Sequence, residues 1–369
     1  MQLSPTRAPR AGFTLIELLM VIFLIGILAT ILGYAANKAL RTARQTRILA
    51  EIEQLNTAVE TYKSERGSYP PTWGNFLVES QSANAKRQRI QRHVSKSFPR
   101  YTGDYNAIRT QISLATAYVP PNYTQDVAAG RPLALTYTAQ AAGLPGGGLD
   151  IENLDPAETL VFWLGGLPDP TSATKLAGFR ADATSPFVDA SQVGAPQPVP
   201  ASQLPGRTPP AYRFDPSRLV DRDGDGWWEY LQAGAKADDN VPPLVYFDNL
   251  VYGLSVSYPA VNPPSGTAGN EAASHAMQWG TILPYASDGP SQLNPTKLVT
   301  WVNSQTYQII ACGLDGQYDS PSDTRTPVNQ NPGFNAIDDL EYWPSGRNFE
   351  QEDYDNLTNF HPGPLSDAF

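Results

Sequence analysis

Carboxylates at alternate positions form the sharpest chemical motif of the 369-residue chain. A glycine, Gly226, follows the third aspartate and allows a tight turn. Side-chain oxygens at this spacing can wrap around a hard cation such as Ca²⁺, with a backbone carbonyl and a later glutamate completing part of the shell. The motif therefore predicts a calcium loop. Its expected ligands are Asp221, Asp223, Asp225, the carbonyl of Trp227, and Glu229, directly or through water.

The motif departs from an EF-hand loop at the twelfth position. An EF-hand has a bidentate Glu there, whereas this chain has Gln232. It is closer to shorter calcium loops of the DxDxDG type, which need a further ligand from elsewhere. Asp238 and Asp239 are candidates for that ligand. The alternative is an acidic turn, closed by aspartate side chains, that holds no ion.

Other reactive residues do not form a recognisable catalytic set. His93, His275 and His361 lack metal-ligand spacing, and the sequence has no phosphate-binding glycine loop and no nucleophile-elbow motif. The single cysteine, Cys312, excludes an intrachain disulfide and is expected to be a small buried residue beside a strand end. We therefore expect that the protein is not an enzyme.

One carboxylate lies inside an apolar segment near the N-terminus. Residues 13–36 carry no charge except Glu17, and as a helix they would span roughly 36 Å, more than the ~30 Å hydrocarbon core. A charge in lipid is costly and usually marks a function. Arg7 and Arg10 precede the segment, and Gly12 stands at the junction, whereas a secretory signal peptide has its cleavage site after the apolar region.

The junction resembles the processing motif of type IV prepilins and type II secretion pseudopilins. The matching residues are Gly12-Phe13-Thr14-Leu15-Ile16-Glu17. The resemblance implies that prepilin peptidase cleaves after Gly12 and methylates the new amine of Phe13. It also implies that Glu17 meets the Phe13 amine of a neighbouring subunit in a filament, where a low dielectric strengthens the attraction.

The resemblance also implies a location and partners. It places the leader 1–12 in the cytoplasm and a single-pass helix in the bacterial inner membrane, with a periplasmic head that later joins a filament in the periplasm or at the cell surface. Counting of basic residues is ambiguous, because four cations after the apolar segment outnumber two before it. The implied partners are prepilin peptidase, other pilin or pseudopilin subunits, and an inner-membrane assembly platform.

The helical pattern continues beyond the membrane segment over residues 37–66. Apolar residues recur there at helical spacing: Ile48, Ile52, Leu55, Val59 and Tyr62. Gly67 followed by Pro70 and Pro71 predicts the helix end, because glycine accepts a left-handed cap and proline bars continuation. The second half of this spine helix needs a head domain to cover its stripe.

Short runs of β-branched and aromatic residues predict strands in the head, residues 67–369. They are residues 159–164, 243–247, 250–258, 298–302 and 306–312. Alternation within 250–258 and 306–312 favours an antiparallel sheet with one face on the helix. The expected fold is therefore α+β and pilin-like: a long N-terminal transmembrane spine helix packed on an antiparallel sheet, with large loop-rich insertions, chiefly about residues 130–300.

A second acidic region follows the last predicted strand. Residues 315–369 contain 11 acidic residues and two arginines, a net charge of −9. Its Gly-x-Asp-Gly turn resembles the C-terminal calcium loop of major pseudopilins, which implies ligands among Asp315, Asp319 and Asp355, although these do not align residue by residue. A solvated acidic loop without an ion is the alternative.

Basic residues are concentrated in the first 100 positions, where 14 Lys and Arg face six Asp and Glu. One cluster is expected to form the solvated face of a helix: Lys86, Arg87, Arg89, Arg92, His93 and Lys96. Few aromatic residues interleave with it, so we expect no specific nucleic-acid partner.

The sequence as a whole predicts a structural filament subunit, pilus-like or pseudopilus-like, whose head is stabilised by calcium. The alternative is a membrane-tethered or pilus-displayed adhesin or ligand-binding protein that uses the same export route.

Overall fold

A computed structural model describes residues 14–72, 81–116, 151, 154–167, 176, 178–187, 206–221, 227–249, 282–294, 296–318 and 340–369, with backbone only for 81–86 and 114–116. The chain divides into two compact units, Met1–Arg44 and Gln45–Phe369. From here on, the head means this second unit, which contains the end of the spine helix as well as residues 67–369.

The first helix, α1, runs over Leu15–Arg66. It ends where the sequence predicts, because Gly67 takes a left-handed conformation (φ 80°) and donates its backbone N–H to the carbonyl of Lys63 at 2.8 Å. The predicted apolar stripe is buried within the head: Ile48, Ile52, Leu55, Val59 and Tyr62. The amphipathic half of α1 is thus a central element of the head core.

Two further helices, α2 (Gln81–Ser97) and α3 (Tyr105–Thr116), bury one face each in the same core. Their buried apolar residues recur at helical spacing, Ile90 and Val94 in α2 and Tyr105, Ile108 and Ile112 in α3, and Phe98 is buried directly after α2.

The run 159–164, predicted as a strand, is helical, so that prediction is wrong. A short helix α4 (Pro156–Leu160) continues as a single π-helical turn, Val161–Gly165. Asp155 caps α4 by accepting from the backbone N–H of Glu158 at 3.2 Å, and the Glu158 carboxylate accepts from the N–H of Asp155 at 2.8 Å. The run is buried on all sides, and such a run has no periodicity that separates a strand from a helix.

Within the described residues, three small antiparallel sheets accompany the helices of the head. The central one has the strand order β3 (Val245–Asp248), β6 (Tyr307–Ala311) and β7 (Leu357–Thr358). The other two are hairpin pairs: β1 (Leu219–Val220) with β2 (Glu229–Tyr230), and β4 (Ala286–Asp288) with β5 (Thr300–Trp301). The fold is α+β, as predicted.

The central sheet alternates its side chains between two cores. Tyr246, Ile309 and Ala311 belong to the cluster that contains the α1 stripe. Val245, Phe247 and Ile310 belong to a second cluster, together with Cys312, which is buried as expected. The sheet therefore has one face on the helix, as predicted, and its opposite face is also covered.

Three of the predicted strands are found, with shifted or shortened ends, as β3, β5 and β6. The predicted ranges were 243–247, 298–302 and 306–312. The run 250–258 lies outside the described residues. Strands β1 to β3 fall within the stretch predicted as an insertion, and they contribute to the main core.

Candidate functional site

The N-terminus of α1 is closed by a reciprocal cap between Thr14 and Glu17. The Glu17 carboxylate accepts from the backbone N–H and from the hydroxyl of Thr14, both at 2.8 Å. The Thr14 hydroxyl in turn accepts from the backbone N–H of Glu17 at 3.3 Å. Glu17 is thereby fixed at the helix start, while Gly12 and Phe13 lie outside the described residues.

The first half of α1 exposes large apolar side chains around its whole circumference. Examples are Leu15, Phe23, Leu28 and Leu32. By length and composition, with a mean hydropathy of 2.9 over an 18-residue stretch, this helix is suited to crossing a membrane. Glu17 is the only acidic residue of this apolar half.

A tight turn after β6 brings together two of the predicted calcium ligands, Asp315 and Asp355. The Asp355 carboxylate accepts from the backbone N–H groups of Leu314 at 2.7 Å and Asp315 at 3.2 Å. Gly313 sits here with φ 68°, and a Cβ on it would lie 2.3 Å from the Asp355 carbonyl oxygen. Only glycine permits this approach. We call Gly313 to Tyr318 with Asp355 the acidic turn.

Electrostatics in the acidic turn are unfavourable for two ionised carboxylates. Burial, followed by the charge of Asp355, raises the pKa of Asp315 to about 7, and Glu352 adds to the effect. Asp319 lies outside the described residues. Within the part of the chain that the structure describes, no group of three or more His, Cys, Asp or Glu side chains is placed to hold a metal ion.

The first predicted calcium motif occupies the connection of the β1–β2 hairpin. Asp221 follows β1, and Glu229 lies buried in β2 opposite Val220, so the hairpin brings both ends of the motif together. Trp227 is buried with its ring centroid 5.6 Å from that of Phe162. The middle carboxylates, Asp223 and Asp225, lie outside the described residues.

The residue that breaks the EF-hand pattern has a structural partner. Gln232 is buried and donates its side-chain N–H to the carbonyl of Gly313, which ties the strand after the first motif to the acidic turn. Of the two proposed extra ligands, Asp239 accepts from the backbone N–H of Lys236 at 2.8 Å in its own turn.

His93 is buried, although it was expected on a solvated face. Arg87, Arg92 and Lys96 are exposed as predicted, but His93 is only 4% exposed and stacks on Tyr62. It lies on the side of α2 that carries Ile90 and Val94. The expectation was wrong because the apolar pattern of a helix assigns polar residues such as histidine to the solvated side.

The His93 ring joins α1, α2 and the linker between them. Its Nε2 lies 2.9 Å from the hydroxyl of Tyr62 and its Nδ1 lies 2.8 Å from that of Ser68. Burial, with the charges of Lys96, Arg66 and Arg89, lowers the pKa of His93 to about 3. At a pKa this low His93 is neutral near pH 7, and its two ring nitrogens link α1, α2 and the linker.

A buried ion pair that sequence reasoning missed fixes the stripe half of α1 to the head. Arg218 donates to both oxygens of Glu51, one of them at 2.7 Å, and also to the hydroxyl of Tyr230. The only sequence signal was an acid, Glu51, adjoining an otherwise apolar stripe. Its partner lies 167 positions away.

Residues 7–33 match the family model of the prokaryotic N-terminal methylation motif, the hallmark of type IV prepilin-like proteins. No curated protein and no solved structure gives a significant match to the chain. The match covers the second half of the basic leader, the Gly12–Phe13 junction and the Glu17 position. It confirms the resemblance seen in the sequence for this segment.

Proposed function

We propose that the protein is a structural subunit of a type IV pilus-like or type II secretion pseudopilus filament. The observation that carries this proposal is the methylation motif at residues 7–33, continuous with a helix whose first half is apolar all round. A subunit of this kind has no catalytic role. Its partners are prepilin peptidase, other pilin or pseudopilin subunits, and the assembly platform in the inner membrane.

In this proposal Gly12 and Phe13 are the processing site and Glu17 is the assembly residue. The Thr14–Glu17 cap supports that assignment, because it holds the carboxylate at the start of α1, where the cleaved chain would begin. The helix is inserted in the inner membrane before assembly, with the leader in the cytoplasm and the head in the periplasm.

The test uses full-length protein in its native host. Mass spectrometry of the mature N-terminus is expected to give N-methylated Phe13, and Gly12→Val is expected to retain the leader. Glu17→Ala is expected to be processed but depleted from sheared filaments. Glu53→Ala, which removes an exposed acid in the second half of α1, is the matched control and is expected to assemble normally.

Unaltered assembly of both Gly12→Val and Glu17→Ala would contradict the proposal. So would an intact Met1 in the mature wild-type protein. Cleavage after the apolar segment would indicate a secreted or tethered protein instead.

The proposal includes a head stabilised by Ca²⁺. Oxygen ligands suit this ion, and Asp315 and Asp355 interact in the acidic turn, where Asp319 would be a further ligand. In the β1–β2 connection, the ligands would be Asp221, Asp223, Asp225, the Trp227 carbonyl and Glu229. A cation in the acidic turn would neutralise the repulsion that raises the pKa of Asp315.

The pH dependence of melting tests calcium binding at the acidic turn. The pKa of Asp315 is raised on folding, so the folded state keeps a proton that the unfolded state loses. In EDTA, stability is therefore expected to fall as the pH rises from about 4 to about 7. Saturating Ca²⁺ is expected to remove that loss, because both carboxylates are then ionised in the complex.

Two variants separate the two calcium sites. Asp315→Asn is expected to flatten the profile in EDTA and to reduce the Ca²⁺-dependent shift in melting temperature. The double variant Asp223→Asn, Asp225→Asn tests the β1–β2 connection in the same assay. A Ca²⁺-dependent shift that persists when all three substitutions are combined in one protein would contradict both sites.

A second candidate function is a ligand-binding protein or adhesin displayed by the same export route. A cavity in the head favours this second candidate, because its lining includes Lys63, Arg89, Arg92 and Lys96. Abundance distinguishes the two candidates: a structural subunit is expected along the whole filament, whereas a displayed binder is expected to be rare and near a tip.

A further inference from the structure

A cavity of about 460 Å³ lies in the head between the end of α1, the linker that follows it, and α2. Four basic side chains line it: Lys63, Arg89, Arg92 and Lys96. Three of them, with His93, stand at helical positions i, i+3, i+4 and i+7, so one face of α2 forms the wall. We call this the cationic cavity.

Part of this positive charge is already compensated. Arg89 lies 3.7 Å from the carboxylate of Asp248, which is the single acidic residue of the lining, and it also donates to a backbone carbonyl. Lys63 donates to the hydroxyl of Tyr69 at 2.8 Å and lies 4.0 Å from the centroid of that ring.

The remaining charge is carried by Arg92 and Lys96. Arg92 donates through Nε to the carbonyl of Gln88 in its own helix at 3.2 Å, which leaves the outer edge of its guanidinium for a ligand. Within the described residues, the side-chain ammonium of Lys96 makes no hydrogen bond and no ion pair. With neutral His93, the lining thus has four cations and one carboxylate, a net charge of +3.

The wall also offers neutral hydrogen-bonding groups beside the cations. Ser68, Tyr69, Asn249 and Gln305 supply hydroxyl and amide groups to the lining. The positive charges also act on a buried residue of the lining, because Lys96 and Arg89 help to lower the pKa of His93. The site is thus both charged and able to orient an oxyanion.

We propose that the cationic cavity binds the phosphate group of a small phosphorylated ligand, either free or as a lipid headgroup. A carboxylate would neutralise one cation, whereas a phosphate monoester carries close to two charges and matches Arg92 and Lys96 together. The planar fork of an arginine suits two phosphate oxygens at once, and a lysine adds a point charge. The volume lies within the 300–1,000 Å³ range of ligand pockets, which leaves room for an organic group beside the phosphate.

Binding is measured by titration calorimetry on the full chain in non-ionic detergent. The probes are inorganic phosphate, glycerol 3-phosphate, and mixed micelles containing phosphatidic acid or phosphatidylcholine. We expect saturable binding of the phosphate and phosphate-monoester probes, with phosphatidylcholine micelles as the lipid comparison. The double variant Arg92→Gln, Lys96→Gln is expected to weaken it by about tenfold or more, since both charge-assisted contacts are lost. Melting of the variant in the same buffer shows whether the head is folded.

The matched control is Arg87→Gln, Arg100→Gln, which makes the same change in net charge at exposed cations outside the lining. It is expected to keep wild-type affinity. Tighter binding of phosphatidic acid than of glycerol 3-phosphate would identify a lipid source, and the reverse order a free ligand.

Three outcomes would overturn the proposal. They are no saturable binding of any phosphate probe by the folded protein, an equal loss in the control variant, and tighter binding of an oligodeoxynucleotide than of the small phosphates at matched ionic strength.

Discussion

The two halves of α1 have similar apolar residues in opposite surroundings. In the first unit Leu28 is 65% exposed, and in the head Leu55 is fully buried. The first half is apolar all round, whereas the second has an apolar stripe that is buried in one core with residues of the central sheet and of α2. A leucine side chain is therefore exposed in one half of the helix and packed in the head core in the other.

The difference shows that the distribution of apolar residues, rather than their number, indicates where the partner lies. A stripe can be covered from one side by the same chain, and here it is. A helix that is apolar on every side needs a surrounding of lipid or of other helices. The proposed filament supplies both surroundings in turn, first the membrane and then neighbouring subunits.

The largest expected contrast is between Leu55→Ala and Leu28→Ala. Leu55→Ala leaves a cavity in the head core and is expected to lower the free energy of unfolding by about 3–5 kcal/mol. Leu28→Ala removes the same atoms from an exposed position and is expected to leave melting of the head unchanged. Denaturant titration of the full chain in detergent measures both. An equal loss in the two variants would break the comparison.

The two glutamates of α1 give the next contrast. Glu51→Ala removes the buried carboxylate partner of Arg218 in a largely buried place and is expected to cost about 3 kcal/mol. Glu17→Ala loses only the local cap and is expected to impair assembly without changing the unfolding of the head. Melting and filament yield are measured on each variant. Destabilisation of the head by Glu17→Ala would contradict the separation of roles.

The second half of α1 packs against a group that makes stability depend on pH. This group is His93, which stacks on Tyr62. The pKa of His93 is lowered to about 3 on folding, so the unfolded state binds more protons below its own pKa of 6.5. Stability is therefore expected to fall as the pH drops from about 6.5 to about 5, by about 2 kcal/mol from this group. His93→Gln is expected to reduce that slope. Equal slopes in the variant and the wild type would contradict a buried neutral His93.

Local sequence signals predicted α1 well. The apolar run, the stripe and the Gly67 stop each depend on neighbouring residues, and the structure has them where expected. Strand β6 was recognised for the same reason, since its alternation separates two cores. The buried run 159–164 was misread because it lacks periodicity, although the cap formed by Asp155 and Glu158 gave a helix-start signal.

Contacts between distant positions were not predictable from pattern. Nothing near Glu51 points to Arg218, and the polar face assigned to α2 gave no hint that His93 would be enclosed. The acidic turn was partly predictable, because Gly313 and Gly316 mark a tight turn. Its pairing with Asp355, 40 positions later, came only from a family resemblance.

The smallest expected effect compares two carboxylates that face the same cation. Arg218 lies 3.6 Å from Asp215, which is exposed, as well as against the buried Glu51. Asp215→Asn keeps a side-chain acceptor for the backbone N–H of Ser217 while removing the charge, so it is expected to cost less than about 1 kcal/mol. The measurement is the same denaturant titration as for Glu51→Ala. A cost as large as that of Glu51→Ala would mean that the charge of Arg218, rather than burial on the stripe, dominates the interaction between α1 and the head.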